Sequence, residues 1–413
     1  MLYLFYLIIF IEILTILYNL LKFIIFRIKR NHNSKSNICN RQAYELNILI
    51  PCFEETKIIE QTLKHFRHII NKFPNINVYV ITTQKEDSNI KSSSKISTYD
   101  YLNNLEFFNS KKFNIIHYPN ISGMMADQLN YGIQTILKNS KFPQDRIYFS
   151  IYNADSNPDF STFTEINTVI NNNKFPKIIQ QYSNYFSNYN NQNFIMKGFS
   201  IYQTAFEIRN GIINNKVSPL LYSHVVGHGL TIRADYINNI NGFNTNFWCE
   251  DIFLTGLLFN NSEHILPLYS LDNAENPTKL STQIIQNAVW FKTAFNHFNI
   301  LKDIKNSYKI TSKGFLWLIH EFRASLVWLF MPIFLIFSFI YPIFIQNLKM
   351  LILALVTYLI FVFTNYLLNL IVVNVKRFSK YIKNYFSLAF AVLFTGLGPL
   401  YSFFLKEKVK TER

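Results

Sequence analysis

Charged residues and cysteines are both scarce in this sequence. Only 16% of its 413 residues are charged, whereas 49% are hydrophobic and 17% are aromatic. Such a composition excludes a purely soluble protein. The three cysteines, Cys39, Cys52 and Cys249, lack the spacing of a metal site or of a disulfide framework. The simplest expectation is a globular part in a reducing, cytosolic environment.

The sequence also lacks the glycine-rich loops that bind phosphate in many nucleotide-binding proteins. Neither a Walker pattern nor G-x-G-x-x-G occurs, so bound phosphate must be held by a metal ion and side chains. No nucleic-acid-binding module accompanies the net charge of +15. Many basic residues instead flank apolar runs, which predicts attraction to anionic membrane lipids and no nucleic-acid partner.

An apolar, aromatic run occupies residues 2–26 and is long enough to cross a bilayer as a helix. We therefore expect a transmembrane helix within residues 1–30, in which Glu12 faces a neighbouring helix. With no basic region before the run and no small-residue cleavage site after it, we expect no removable signal peptide. By the positive-inside rule, the basic residues that follow predict a cytoplasmic location for the next domain: Arg27, Lys29, Arg30, Lys35 and Arg41.

A second apolar block lies within residues 311–413. We expect an interfacial helix from about Phe315, and then transmembrane helices at 326–345 and 350–373. The last apolar run, 386–405, is interrupted by Gly396, Gly398 and Pro399. This run either spans the membrane or forms a re-entrant or interfacial hairpin. The basic tail after it, expected in the cytoplasm, favours the hairpin.

Between residues 45 and 310, short apolar runs alternate with helix-period segments, which predicts an α/β domain. Strands are expected at 46–50, 78–81, 113–117 and 147–151, and helices over 58–70 and 126–137. In open α/β sheets, ligands bind beyond the carboxyl ends of the strands. The segments IPCFEE (50–55) and YNADS (152–156) both follow strands, so we expect them to share one cleft.

The stretch 225–259 carries the strongest candidates for chemistry. Gly227-His228-Gly229 forms a glycine-bracketed loop, and the adjacent acids Glu250 and Asp251 open an apolar helix. Adjacent acids at a helix N-terminus are also common as electrostatic caps. His228 is a candidate donor to a phosphate or an acceptor hydroxyl, and it is equally well explained as a structural histidine.

The order of these motifs resembles membrane-bound members of glycosyltransferase family 2, the cellulose-, hyaluronan- and polysaccharide-synthase-like enzymes. IPCFEET is similar to the family's Pro-x-Tyr-Asn-Glu segment, and SGMMADQLNYG to its Lys-Ala-Asp-x-Leu-Asn segment. Asn153-Ala154-Asp155 occupies the position of the family's Asp-x-Asp motif, and QNAVW (286–290) occupies the position of its Gln-x-x-Arg-Trp motif. The matched positions are Pro51, Glu55, Asp127, Asn130, Asp155, Glu275, Pro277, Gln286 and Trp290.

The resemblance implies a GT-A-type nucleotide-sugar-binding domain at 45–310, with a mixed, mainly parallel sheet, flanked by transmembrane helices. It implies inverting transfer from a cytosolic nucleotide sugar, with a UDP-sugar expected, to a lipid-linked or polysaccharide acceptor. Asp155 and Asn153 would bind Mg²⁺ or Mn²⁺, and Asp251 would act as general base beside Glu250. The chain would be an integral protein of the cell (inner) membrane with its catalytic domain in the cytoplasm. The implied donor contacts are Pro51, Glu55, Thr83, Asp127 and Asp155, and the implied acceptor contacts are Gly227, His228, Gly229, Gln286 and Trp290.

Three positions depart from the family pattern. Asn153 replaces an aspartate of Asp-x-Asp, Thr82 and Thr83 stand where many relatives carry a base-contacting aspartate, and Val289 replaces an arginine. These departures favour a transferase that makes one linkage. A processive polysaccharide synthase is the nearest alternative, and it would need a homo-oligomer or a partner because about three spans are few for a channel. The alternative of another class is a catalytically silent sugar-nucleotide-binding scaffold of an envelope-assembly complex.

Overall fold

The computed structural model of the protein describes residues 1–32, 43–90, 96–217 and 224–406. Lys35, Cys39, Arg41 and the basic tail beyond residue 406 lie outside the described residues. Within the described ranges, one large sheet carries helices on both faces, and the two ends of the chain form long apolar helices beside it.

The main sheet has seven strands in the order β3-β2-β1-β4-β7-β5-β8, and β6 pairs with β9 in a small second sheet. All strands of the main sheet are parallel except β7, which runs antiparallel to both of its neighbours, β4 and β5. This arrangement confirms the predicted mixed, mainly parallel α/β sheet. The strands are β1 Glu45–Pro51, β2 Ile76–Thr83, β3 Phe113–Tyr118, β4 Ile147–Ile151, β5 Ile178–Gln180, β6 Ser183–Asn184, β7 Leu230–Arg233, β8 Ile265–Pro267 and β9 Asp272–Asn273.

Strand β1 is buried on both faces, as expected for a parallel strand covered by helices. Ile48 and Ile50 pack into one core and Leu49 into the other. Each aliphatic side chain buried in this way contributes about 1.5–3 kcal/mol. Asn47 is buried among them, and its amide donates to Glu45 Oε1 (2.8 Å) and accepts from Asn77 Nδ2 (3.1 Å), so its polar atoms are satisfied.

The helices at 59–70, 125–139 and 160–172 each bury an apolar stripe against this sheet. In the segment 59–70, for example, apolar residues recur at helical spacing and are the buried ones. The predicted stripe at 126–137 is likewise a helix. The domain helices are α2 Ile59–Ile70, α3 Gln84–Ile90, α4 Thr98–Asn103, α5 Met125–Asn139, α6 Phe160–Asn172, α7 Phe194–Glu207, α8 Asn214–Val217, α9 Ala234–Asn239, α10 Glu250–Asn260, α11 Leu280–Phe291 and α12 His297–Ser307, with α1 (Leu2–His32) preceding them. Four short 3₁₀ turns within the described ranges are Glu106–Asn109, Gln144–Arg146, Tyr189–Asn191 and Lys292–Asn296.

Four apolar segments are long and apolar enough to cross a membrane: Leu2–Arg30, Ser312–Phe344, Leu348–Val372 and Tyr385–Ser402. The second is one continuous helix, so the expected interfacial helix and the following span are joined without a break. The side chain of Glu12 is only 4% exposed, as expected if it faces a neighbouring helix. The elements after residue 311 are α13 Ser312–Phe344, α14 Leu348–Val362, a π-helical turn Phe363–Leu367, α15 Leu368–Val372, α16 Phe378–Ile382, α17 Tyr385–Phe394 and α18 Leu397–Ser402.

One helical segment joins the α/β domain to the apolar helices. Helix α7 continues through a π-helical turn, Ile208–Ile213, into α8, and this segment packs against α1, the π-turn before α15, and α17. Gly198 allows the close approach of α17, because a Cβ there would lie 2.2 Å from the Ser387 carbonyl oxygen. The last apolar run breaks at Gly396, and its two helices rest on α7 and α11 of the α/β domain.

Candidate active site

The loops after β1, β2 and β4 meet at one edge of the sheet. Pro51 pairs with Ile81 in the parallel register, and Cys52 N–H donates to the Ile81 carbonyl (2.8 Å). On the other side, Tyr152 N–H donates to the Leu49 carbonyl (3.0 Å). IPCFEE and YNADS are therefore neighbours, as the sequence predicted, and the edge is the carboxyl edge of the parallel strands.

The loop after β1 is strained and anchored. Glu54, where the family pattern has asparagine, adopts φ +57°, a left-handed backbone that asparagine tolerates better than glutamate. Glu55 N–H donates to Thr98 Oγ1 (2.9 Å), and Thr98 donates through its N–H and its hydroxyl to Glu86 Oε1 (2.7 and 2.8 Å). Buried Glu86 thus fixes this loop, a role that sequence reasoning missed because Glu86 matches no motif.

The threonine pair that ends β2 is buried. Thr82 Oγ1 lies 2.9 Å from His117 Nδ1, and Thr83 Oγ1 accepts from Lys85 N–H (3.3 Å). Lys85 Nζ lies 3.3 Å from the Gly123 carbonyl and 5.9 Å from the centre of the Phe53 ring. Lys85 therefore places a positive charge between the loops after β1 and β3. Its position directly after a strand was the signal by which the sequence could have identified it.

Asn153, Ala154 and Asp155 form the turn that leaves β4. Ser156 closes it: its N–H donates to the Asn153 carbonyl, and its Oγ accepts from Asn153 N–H, both at 3.1 Å. Asp155 is only partly buried, and Asn153 likewise, so both side chains are accessible from the edge of the sheet.

Asp272, which sequence reasoning did not select, lies beside this turn. Its Oδ1 accepts from Asn157 N–H (3.0 Å), while its buried Oδ2 has no hydrogen-bond partner among the described residues. The pKa of Asp272 is raised to about 7, chiefly by burial and in smaller part by the negative charge of Asp155, against hydrogen bonds that lower it. The carboxylate oxygens of Asp155 and Asp272 and the amide oxygen of Asn153 are ligands of the kind that a hard divalent cation prefers. Such a cation keeps waters and binds substrate phosphates.

The donor set therefore fits a divalent ion held by few protein ligands. No group of three or more His, Cys, Asp or Glu side chains with metal-site geometry occurs in the described ranges. Asp155, with the Asn153 amide, supplies one carboxylate and one neutral oxygen, which is sufficient for Mg²⁺ or Mn²⁺ only when a diphosphate completes the coordination.

Glu250 and Asp251 open helix α10, as predicted. Asp251 Oδ2 accepts from Gly227 N–H (3.1 Å) and its Oδ1 accepts from Ile252 N–H (2.9 Å). A Cβ on Gly227 would lie 3.2 Å from Glu250 Oε1, so the glycine backbone rests directly on both acids. Capping of α10 and contact with the 227–229 loop occur together.

The 227–229 loop connects the acid pair to the Asn153–Asp155 turn. Gly229 N–H donates to the carbonyl of Ile151, the last residue of β4, at 2.7 Å. Gly229 adopts φ +65°, and a Cβ there would lie 2.4 Å from the Gln181 carbonyl oxygen, so only glycine fits. The three residues of the loop therefore connect the acids to β4, the strand that precedes the Asp155 turn.

His228 is held in place by buried polar groups. Its Nε2 lies 2.7 Å from Ser183 Oγ and 4.0 Å from Glu207 Oε1, and its carbonyl accepts from Gln180 Nε2 (2.8 Å). Glu207 also accepts from Ser183 N–H (2.6 Å). These contacts match the structural interpretation of the histidine, and they orient the loop.

Asp127 and Asn130 hold helix α5 in position. Asp127 Oδ2 accepts from Met124 N–H (2.7 Å) and so caps the helix. Asn130 accepts from Phe243 N–H (2.7 Å) and donates to its carbonyl (2.8 Å), while Gly242, at φ +84°, leaves room for the amide. Both matched residues thus have structural contacts in the described chain. The Asn130 contact ties α5 to the loop that leads to the acids.

Gln286 and Trp290 lie on α11, which packs against α18. Gln286 is buried, and its Oε1 lies 3.4 Å from Nε2 of Gln283. Trp290, in contrast, is 38% exposed. Val289, in the position of the family's arginine, packs in a cluster with Trp248, two residues before Glu250. Trp248, another residue that sequence reasoning missed, therefore links α11 to the acid pair.

Comparison with solved structures finds a similar fold. The chain matches a mannosyltransferase from Pyrobaculum calidifontis, PcManGT, solved with GDP-Man and Mn²⁺, with a TM-score of 0.50 and 10% identity over 97% of this chain and 100% of that chain. The two chains share a fold. S. aureus TarS 1–349 matches with a TM-score of 0.41 and 10% identity over 85% of this chain and 90% of that one, and its complex with UDP-GlcNAc with a TM-score of 0.40 and 12% identity over the same shares.

No protein-family model matches the sequence, and no curated protein matches it. The shared fold confirms the predicted α/β domain, and the predicted flanking helices are apolar and long enough to cross a membrane.

Proposed function

We propose that the protein is an inverting membrane glycosyltransferase of the family-2 type, which moves a hexosyl or N-acetylhexosaminyl group from a nucleotide sugar to a lipid-linked or cell-envelope glycan acceptor. The observation that carries the proposal is the 227–229 loop, which bonds Asp251 through Gly227 (3.1 Å) and β4 through Gly229 (2.7 Å). The loop thereby fixes the position of a general base, Asp251, relative to a diphosphate-binding carboxylate, Asp155. Transfer by single displacement requires these two groups.

The donor would bind at the carboxyl edge of β1, β2 and β4. Pro51 and Glu55 line the loop after β1, and Lys85 presents an ammonium group between neighbouring loops. Cations that reach a diphosphate form charge-assisted hydrogen bonds. A divalent ion bound by Asp155 and Asn153 would offset the charge of the leaving diphosphate.

The acceptor hydroxyl would be deprotonated by Asp251. The oxygen of the acceptor hydroxyl forms a bond to the anomeric carbon while the bond from that carbon to the diphosphate oxygen breaks. The hydroxyl proton passes to the Asp251 carboxylate. The Gly227 N–H fixes one carboxylate oxygen and so orients the base. Glu250, buried beside it, and Trp290, exposed on α11, would border the acceptor.

The solved complexes of the similar folds guide the choice of donors. PcManGT was solved with GDP-Man and TarS with UDP-GlcNAc, so both nucleotides belong in the screen. The detergent-purified protein would be incubated with UDP- and GDP-sugars and envelope lipid extract, with and without Mn²⁺, and nucleoside diphosphate release measured. We expect metal-dependent release from one donor class.

An Asp145→Asn variant serves as the control, because Asp145 is a surface carboxylate whose ion pair within the described residues is with its neighbour Arg146 at 3.8 Å. Its release should equal that of the unmodified protein. If the protein binds a donor but releases no nucleoside diphosphate with any donor and acceptor extract supplied, that result would contradict the proposal and support the silent scaffold.

A further inference from the structure

Three cationic side chains from separate segments meet at the boundary between the α/β domain and the apolar helices. Lys22 lies on α1, Arg209 on the π-turn after α7, and Arg323 on α13. Asn365 Oδ1 accepts from Asn19 Nδ2, one turn before Lys22 on α1, and from Arg209 Nη1, each at 2.7 Å. The charge of Lys22 also interacts repulsively with both arginines. We call these residues the cationic cluster.

The cationic cluster has no acidic partner within ion-pair distance among the described residues. Neutral groups hold it instead: Lys22 donates to Asn214 Oδ1, Arg209 Nη1 donates to Asn365 Oδ1 (2.7 Å), and Arg323 Nη2 lies 3.0 Å from His320 Nε2. Like charges gathered without a counter-ion repel one another. An anion bound among them would remove that cost.

The nearby buried acids are engaged elsewhere. Glu207 accepts from Ser183 N–H (2.6 Å), and Glu321 lies 3.7 Å from His297. Among the described residues, neither acid forms an ion pair with the cationic cluster, so no salt bridge neutralises its positive charge. Arg323 is exposed and Lys22 and Arg209 are partly buried, so a ligand can reach all three.

The cationic cluster lies on the apolar-helix side of the acid pair. Helices α10 and α13 pack antiparallel: a Cβ on Gly314 would lie 2.5 Å from Asn260 Oδ1, and one on Gly256 would lie 3.0 Å from the Trp317 ring. Continued at that register, the turn containing Arg323 lies beside the first turn of α10, which begins with Glu250. His224, three residues before Gly227, interacts with His320 on that same turn.

A phosphate group is the anion that this arrangement suits. Two guanidinium forks and an ammonium match the geometry and charge of phosphate oxygens. The cluster lies on α1, α13 and the segment joining α7 to α8, all packed among the apolar helices. The proposed donor edge is formed by other residues, after β1, β2 and β4. The anion is therefore expected on a lipid and not on the nucleotide.

We propose that Lys22, Arg209 and Arg323 bind the phosphate of a lipid acceptor and hold its headgroup beside Asp251. This inference rests on the proposed transferase function, since it names the class of acceptor: a lipid with a phosphate at the membrane surface. The acceptor oxygen that attacks the sugar would lie on that headgroup. The cluster itself binds and positions, and takes no part in bond formation.

Binding of a lipid phosphate by the purified full chain tests the inference without relying on turnover. Native mass spectrometry would compare dioctanoyl phosphatidic acid with dioctanoylglycerol, which has the same tails and no phosphate. We expect the phosphatidic acid to bind in preference, and Lys22→Gln, Arg209→Gln and Arg323→Gln each to weaken it about tenfold or more. Thermal unfolding of each variant shows that the fold is retained.

Arg27→Gln is the matched control on α1, since Arg27 is exposed and outside the cluster. It should leave binding unchanged. Equal binding of both lipids, equal loss in Arg27→Gln, or inorganic phosphate competing as strongly as the lipid would each overturn the inference.

Turnover separates this inference from the proposed function. Nucleotide binding should be unchanged in the cluster variants, while transfer to lipid acceptor falls. Cluster-dependent lipid binding in a protein that releases no nucleotide from any donor would refute the transferase and leave an anionic-lipid site. Full transfer by the cluster variants would refute the cluster's role and leave the transferase.

Discussion

The backbone N–H of Gly227 lies 3.1 Å from Asp251 Oδ2, and a Cβ on the same glycine would lie 3.2 Å from Glu250 Oε1. One small residue thus contacts both members of the acid pair. Two residues later, Gly229 bonds the last residue of β4. The loop therefore sets the position of the acids relative to the Asp155 turn, and its two glycines have different reasons to be glycine.

Substitution of the two glycines should separate activity from stability. Gly227→Ala adds a methyl group against Glu250 at an ordinary φ, so we expect the turnover rate to fall about ten- to a hundredfold with little change in Tm. Gly229→Ala forces alanine into φ +65° and against the Gln181 carbonyl, so we expect a loss of stability of about 1–2 kcal/mol or more. Thermal unfolding and nucleotide release measured on both variants check this. A Gly227→Ala variant that unfolds early with normal turnover would contradict the separation.

Restoring the missing aspartate should strengthen metal binding. Asn153→Asp provides a second carboxylate next to Asp155 at an accessible turn, and affinity for a hard divalent ion rises with ligand charge. We expect the Mn²⁺ concentration for half-maximal nucleotide release to fall about tenfold. Asp155→Asn should raise it. A Mn²⁺ titration that is identical in all three proteins would show that this turn binds no metal.

Lys85 should contribute to donor binding. Its ammonium group lies 3.3 Å from the Gly123 carbonyl at the proposed donor edge, so Lys85→Ala is expected to weaken nucleotide-sugar affinity about ten- to a hundredfold. Lys64→Ala is the matched control, because Lys64 is 62% exposed on α2 and pairs with Glu60. Calorimetric titration of both variants with the donor gives the comparison. Equal affinities in the two variants would remove Lys85 from the site.

Stability should decrease as the pH falls toward 4. Burial between the Tyr182 and Phe206 rings lowers the pKa of His224 from 6.5 to about 4. Between these two values the unfolded chain binds the proton and the folded chain does not, so stability is complete above pH 6.5 and is lost progressively below it.

Thermal unfolding of His224→Gln between about pH 7.5 and about pH 5 tests this. The variant should lose less Tm over that range than the unmodified protein does. His68→Gln, at an exposed position on α2, should follow the unmodified protein. An unchanged pH dependence in His224→Gln would show that His224 does not titrate in this way.

Much of the sheet was predictable because its strands are buried on both faces. The runs at 46–50 and 147–151 are apolar at four of their five positions, and both are strands whose ends were predicted within one residue. The first residue of α10 was also predictable, since adjacent acids favour a helix N-terminus. Local sequence pattern carries such information directly.

The polar interior was not predictable from the sequence. Glu86 and Asp272 match no motif, and their importance comes from burial beside residues far away in the chain: Glu86 with Thr98, and Asp272 with Asn157. The cationic cluster likewise brings together residues 22, 209 and 323. The carboxylate of Asp127 caps α5, and its predicted contact with the donor stays a prediction. Long-range packing decides such contacts, and no local pattern records it.

The central claim is that Asp251 removes the acceptor proton, and Asp251→Asn tests it most directly. The amide keeps an oxygen that accepts from Gly227 N–H, so donor affinity measured by calorimetry should stay unchanged. Without a base, the rate of nucleotide release in the presence of acceptor should fall about a hundred- to ten-thousandfold. Release at the unmodified rate, with the donor bound normally, would contradict the account.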